Sequence, residues 1–211
     1  MASFGLKPRF LMLIIIVLIA FSAVFILQVF MLDKQKDSWQ ELKAQAIARQ
    51  EMLLRMRSEI GYGAMIHSYK NYVLRGQDKY RLQVIDNHLN LSDSVNNYAQ
   101  LANLTINEQQ ALDAIQQVVD QYLKASSMVK RMIDQGAVIA SIDTAVKISD
   151  APAIAGFIVL EDRYQELVGL YTDRFEQASD SVAEYSILIL CIALLVILVF
   201  ALALYRYVVK R

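Results

Sequence analysis

Apolar residues fall along this chain in two unbroken blocks, separated by a long region where they recur every three or four positions. Phe10 to Leu32 is 23 residues without a charge, bounded by Arg9 and Asp33. Tyr185 to Tyr205 is 21 residues without a charge, bounded by Glu184 and Arg206. About 20 apolar helical residues cross a bilayer core, so the blocks predict transmembrane helices over 10–32 and 185–205. The first block exceeds a cleaved signal core and lacks a small-x-small cleavage site before Asp33, which makes it an uncleaved signal anchor.

The intervening pattern predicts four helices. The first continues from the leading block through Trp39, Leu42, Ala46, Leu53, Met56 and Ile60, a bundle-helix seam. It is expected to run unbroken to Arg75, with Gly76 as its C-cap. A helix of that length rises roughly 60 Å. After a turn at 76–78, the second helix follows Val84, His88, Leu91, Val95, Tyr98 and Ala102 to near Asn103. Thr105 and Glu108 form a capping box that starts the third, whose seam is Leu112, Ile115, Val119, Tyr122, Ser126, Val129 and Ile133.

Gly136 interrupts that seam, and 137–150 reads either as continued helix or as an irregular cap. Ser149 or Asp150 can N-cap the fourth helix, with Pro152 in its first turn. Its seam is Phe157, Tyr164, Val168, Tyr171, Phe175, Ala178 and Val182, and it enters the second block without a break. The expected fold class is therefore all-α: two transmembrane helices continuous with an antiparallel up-down-up-down four-helix bundle over 33–184. That order puts the Gly76 turn and the 136–152 connection together at the membrane-distal end.

Charge adds orientation. Lys7 and Arg9 precede the first block, and Arg206, Lys210 and Arg211 follow the second, with no acid at either end. By the positive-inside rule, 1–9 and 206–211 are cytoplasmic and 33–184 lies outside. Tyr185, Tyr205 and Tyr207 suit interfacial belts. Residues 33–184 carry 16 Lys+Arg against 21 acids, a net charge of −5, which argues against nucleic-acid binding. The single cysteine, Cys191, excludes an intrachain disulfide and a multi-cysteine zinc site. No phosphate loop, nucleophile elbow, zincin or kinase signature occurs, so the chain is not expected to be an enzyme.

The candidate chemistry concentrates in GYGAMIHSYKNYVLRG, Gly61 to Gly76. Its two early glycines either kink the helix or admit close approach by another helix or a ligand. The seam shifts there to Tyr62, Ile66, Tyr69 and Val73, which stacks His67, Asn71 and Arg75 on another face. That ladder, with Tyr69 and Lys70 beside it, reads either as a solvated face or as a site for a small carboxylate or other anion, because arginine gives charge-assisted bidentate bonds. Lys147, Asp143 and Asp150 in the distal connection either reach it or are surface charges. His67 and His88 fall at similar heights on neighbouring helices. They are read as structural histidines, with a haem or metal pair as the alternative, so no cofactor and no metal is expected.

The layout of span, four-helix extracytoplasmic domain and span resembles the sensor half of bacterial chemoreceptors. GYGAMIHSYKNYVLRG together with IDTAVKISDAPAI, Ile142 to Ile154, more specifically resembles a helical sensor region found ahead of methyl-accepting chemotaxis and GGDEF diguanylate cyclase outputs. In that pattern glycine stands at Ala64, and Asn-Phe at Ser68 and Tyr69; the departures are conservative in size or polarity. The resemblance implies an inner-membrane, usually dimeric receptor reading a periplasmic small-molecule signal, with His67, Lys70 and Arg75 as the basic positions that could meet a carboxylate. Six residues follow Tyr205, so the output is expected from a separate domain or a cytoplasmic partner. A membrane-anchored bundle that docks other envelope proteins is the alternative.

Overall fold

The structure, a computed structural model, describes residues 6–61 and 63–209, with side chains outside 6–10, 13, 204 and 207–209. Tyr62, Lys210 and Arg211, and the side chains of Lys7, Arg9 and Tyr207, thus lie outside the described residues. Every regular element among the described residues is a helix, and none is a strand. In order it comprises α1 (Leu6–Leu42), a π-helical turn (Lys43–Ile47), α2 (Ala48–Ile60), α3 (Met65–Arg75), α4 (Asp78–Ala99), α5 (Ile106–Asp134), α6 (Ile139–Ala145) and α7 (Ala151–Val209). Two compact units result: Met1–Gln40 with Leu170–Arg211, and Glu41–Gly169.

The first unit pairs the apolar parts of α1 and α7. Both contain windows long and apolar enough to cross a membrane, with mean hydropathy 2.9 and 3.3, and no residue of either window is buried. They share an apolar groove in which Ala20, Ala23 and Ala193 stand among larger aliphatic side chains. Small residues of this kind let helix backbones come close. Neither helix is interrupted at the block edges, Asp33 and Glu184.

In the second unit α4 packs on α2, α3 and α5. Leu53, Met56, Met65, Val84, Leu91, Leu112, Ile115 and Leu160 form the centre of its core. The helix expected to run unbroken to Arg75 is interrupted twice, first by the π turn and then at Gly61–Ala64. Gly61 is extended (φ −70°, ψ −168°) and Gly63 has φ +107°, a conformation that favours glycine. Two glycines within three residues withdraw about 1 kcal/mol each of helix propensity, which locates the break. Nothing lies within 4 Å of where a Gly63 Cβ would stand, so this glycine serves the turn and not a close approach. The seam shift above Ile60 has the same origin: α3 is a new helix.

Gly76 caps α3 in the left-handed conformation (φ +62°). α4 ends at Ala99, earlier than its pattern suggested, and Asn103 adopts φ +59° in the connection that follows. The Thr105–Glu108 capping box opens α5 with both reciprocal bonds formed. The ambiguous 137–150 segment resolves into the seven-residue α6 and an irregular stretch. α7 buries Ala153, Phe157, Leu160 and Leu167, whereas Phe175, read as a seam residue, is 42% exposed. Close helix approach occurs instead at Gly156, where a Cβ would meet the Ala111 carbonyl oxygen at 2.7 Å.

One polar cluster is wholly buried. Arg49 and Glu108 are both 0% exposed and pair at 2.8 Å. The Arg49 guanidinium also donates to the Gln45 and Ala102 carbonyls at 2.8 and 3.0 Å, so it ties the π turn to the α4–α5 connection. Glu108 accepts from the Tyr98 hydroxyl at 3.0 Å and the Thr105 amide at 2.8 Å. Burial alone would push its carboxyl up; the Arg49 and Thr105 hydrogen bonds outweigh this and hold it below its ordinary value.

Removing Arg49 leaves the buried Glu108 with Arg163, at 3.7 Å, as its remaining countercharge, and removing the Glu108 charge leaves Arg49 buried without its carboxylate. Arg49→Met or Glu108→Gln is therefore expected to cost about 3–5 kcal/mol in chemical denaturation of the full chain. Because the folded carboxyl is the stronger acid, its stabilisation is complete above the ordinary value of 4.5 and disappears as pH falls through the lower folded value. The stability gap between wild type and Glu108→Gln should accordingly narrow on acidification. A gap independent of pH would contradict an ionised Glu108.

Candidate functional site

The two sequence segments that carry the candidate chemistry meet through a pair of buried tyrosines. Tyr69 of α3 and Tyr122 of α5 stand edge to face, centroids 5.0 Å apart and planes at 81°. Each sends its hydroxyl into the chain that follows α6. Tyr69 donates to the Val146 carbonyl at 2.8 Å, and Tyr122 donates to Asp150 Oδ1 at 2.7 Å. A seven-residue helix is far below the length at which an isolated helix is stable. The tyrosine bonds therefore supply what local structure does not, and the Val146–Asp150 stretch is held against α3 and α5. Burial, with the negative charge of Asp143 adding to it, pushes the Tyr69 hydroxyl well above its ordinary pKa of 10.0, so it remains a donor at any physiological pH.

Over this aromatic floor lies an open cavity of about 570 Å³, within the usual range for small-molecule sites. α3 contributes Lys70, Val73 and Leu74 to its wall. α6 and the stretch after it contribute Asp143, Thr144, Lys147, Ile148 and Asp150. The wall thus carries two ammonium and two carboxylate groups beside an apolar strip. Thr144 donates to the Ala140 carbonyl at 2.9 Å, which leaves its oxygen able to accept.

The α3 residues singled out from sequence divide between two of its edges, and Lys147 joins one of them from the chain after α6. Tyr69, Lys70 and Lys147 line the cavity. The His67–Asn71–Arg75 ladder stands apart from it, because the cavity takes the edge of α3 marked by residues 69, 70, 73 and 74. His67 and Arg75 are exposed and Asn71 is half-buried. Arg75 donates to the Tyr80 hydroxyl at 2.9 Å and lies over that ring at 5.7 Å. His88 is engaged elsewhere, its Nε2 2.9 Å from Asp120 Oδ1, an atom that also accepts from Gln116. Burial would raise the Asp120 carboxyl, but the His88 and Gln116 hydrogen bonds, with the nearby positive charge of Lys124, together outweigh it and keep the group below its ordinary value. Among the described residues no three His, Cys, Asp or Glu side chains are grouped to hold a metal ion.

In sequence Tyr122 is a seam residue and Asp150 a distal charge; the bond between them follows from the tertiary fold and not from spacing. The spacing likewise passes over Arg49, which fills the open step between Ala46 and Leu53 on a seam otherwise apolar. A charge at such a position is the signal of a buried partner. Comparison of the chain with protein-family models, curated proteins and solved structures returns no match.

Tyr69→Phe keeps the ring contact but leaves the Val146 carbonyl without its donor. The expected cost is about 1–3 kcal/mol in denaturation of the full chain. Amide exchange of 146–150 should quicken while that of α5 stays slow. Unchanged stability and exchange would show that the tyrosine does not hold this stretch.

Proposed function

We propose that this chain is the ligand-sensing input module of a bacterial transmembrane receptor, of chemoreceptor or diguanylate cyclase type. The observation that carries the reading is the meeting of GYGAMIHSYKNYVLRG and IDTAVKISDAPAI around one cavity of small-molecule size. In this reading 10–32 and 185–205 cross the inner membrane, 33–184 is a periplasmic four-helix bundle, and both termini are cytoplasmic. The receptor is a homodimer, and its output belongs to a cytoplasmic partner or to a domain joined to α7. The continuity of α1 past Asp33 and of α7 past Glu184 supports a mechanical role for these helices. The ligand is a small carboxylate-bearing molecule held by Lys70 and Lys147. It shifts the balance between two helix packings only by its differential affinity for them.

A thermal-shift screen of small organic acids on the full chain in detergent tests this reading. At one hundred times its Kd a ligand stabilises by about 2.7 kcal/mol. At least one acid should raise the melting temperature of the wild type and fail to do so with Lys70→Ala/Lys147→Ala. A shift that survives the double substitution, or none across the screen, would overturn the assignment.

A further inference from the structure

The α1–α7 pair carries a second groove, of about 370 Å³, whose two ends differ in chemistry. The helices run antiparallel there, since residues 16–23 share one groove with 189–197 and residues 27–34 share the other with 178–185. Leu27 and Tyr185 thus lie toward one end, and Lys34 and Ala178 toward the other, about 10 Å along α1. Ser181 stands one turn from Ala178. The groove straddles the edges of both uncharged blocks. Leu27, Phe30 and Met31 fall inside the first and Tyr185 opens the second, whereas Lys34, Ala178 and Ser181 lie outside them. In a bilayer this is the level at which acyl chains give way to headgroups.

Lys34 is exposed and holds its ammonium over the Phe30 ring, 5.3 Å from the centroid. The ring takes one side of the cation and leaves the other to an anion, and no carboxylate pairs with Lys34 among the described residues. Ser181 donates its hydroxyl to the Gln177 carbonyl at 2.9 Å, so its oxygen is left to accept. Asp33, Asp37, Asp180 and Glu184 adjoin these residues in the chain. A headgroup of net negative charge is opposed by them, whereas one that carries its own ammonium is not.

We propose that this groove holds a phosphatidylethanolamine of the surrounding membrane; this rests on the reading of 10–32 and 185–205 as membrane-crossing helices. The lipid phosphodiester meets the Lys34 ammonium, a charge-assisted contact. The lipid ammonium donates to the Ser181 oxygen, and the small Ala178 side chain leaves room for the headgroup. An acyl chain covers Leu27, Phe30, Met31 and Val182. A lipid seated there touches both helices at once and ties α1 to α7 at the membrane edge.

Native mass spectrometry of the full chain in detergent, titrated with lipids bearing the same palmitoyl and oleoyl chains, tests the proposal. Phosphatidylethanolamine should bind saturably and about tenfold tighter than either diacylglycerol, which lacks the phosphate, or phosphatidylcholine, whose nitrogen carries no hydrogen. Lys34→Gln should weaken phosphatidylethanolamine about tenfold, and Lys36→Gln, outside the groove, should leave it unchanged. Ser181→Ala should weaken phosphatidylethanolamine and leave phosphatidylcholine unchanged. Equal affinity for phosphatidylethanolamine and either of the other lipids, a loss shared by Lys36→Gln, or no saturable binding would overturn the proposal. Alkaline extraction of membranes holding the full chain separates the two failures. Retention in the membrane pellet leaves the reading of the spans standing while the lipid site falls; release overturns both.

Discussion

The edge-to-face contact of Tyr69 and Tyr122 is the constraint on which the cavity depends. Neither α6 nor the irregular chain after it has the length or the burial to hold its own position. Ile142 and Val146 are its buried apolar anchors, and the two tyrosine hydroxyls are its polar ones. An aromatic pair suits this task because the rings are buried while their polar tips reach outward. The positions of Asp143, Lys147 and Asp150 relative to Lys70 follow from it.

A different device secures the opposite end of α4. There the chain buries charge: Arg49 satisfies carbonyls from the π turn and the α4–α5 connection while pairing with a glutamate that also closes a capping box. Such a pair contributes less net stability than its contacts suggest, because both groups are desolvated. What it supplies is intolerance of any arrangement that leaves either group alone. The π turn that it grips has one residue more than an α-helical turn would use, and π turns of this kind are frequent at functional positions.

Much of this was legible in the residues. The uncharged blocks, the Gly76 cap, the capping box at Thr105 and the seam of α5 follow from local rules that no distant contact overrode. The Gly61–Ala64 break was less legible, since glycines in a helical pattern either weaken the helix or end it, and only backbone conformation separates the two. The candidate site was half legible. Tyr69, Lys70 and Lys147 stand in the cavity wall, whereas the His67–Asn71–Arg75 ladder, a regular stack conspicuous in sequence, lies along another edge of α3. Which edge of α3 faces the α6 connection is a tertiary fact. Arg49 went unread because a charged residue inside an apolar seam is easily passed over as a gap.

The central claim is that the α3 segment and the α6 connection occupy the same end of the Glu41–Gly169 unit. Spin labels at exposed Leu74 and Thr144, placed in the full chain after Cys191→Ser, measure it directly by pulsed dipolar spectroscopy. The account predicts a separation well under half the roughly 43 Å length of the 29-residue α5. A separation approaching that full length would contradict it.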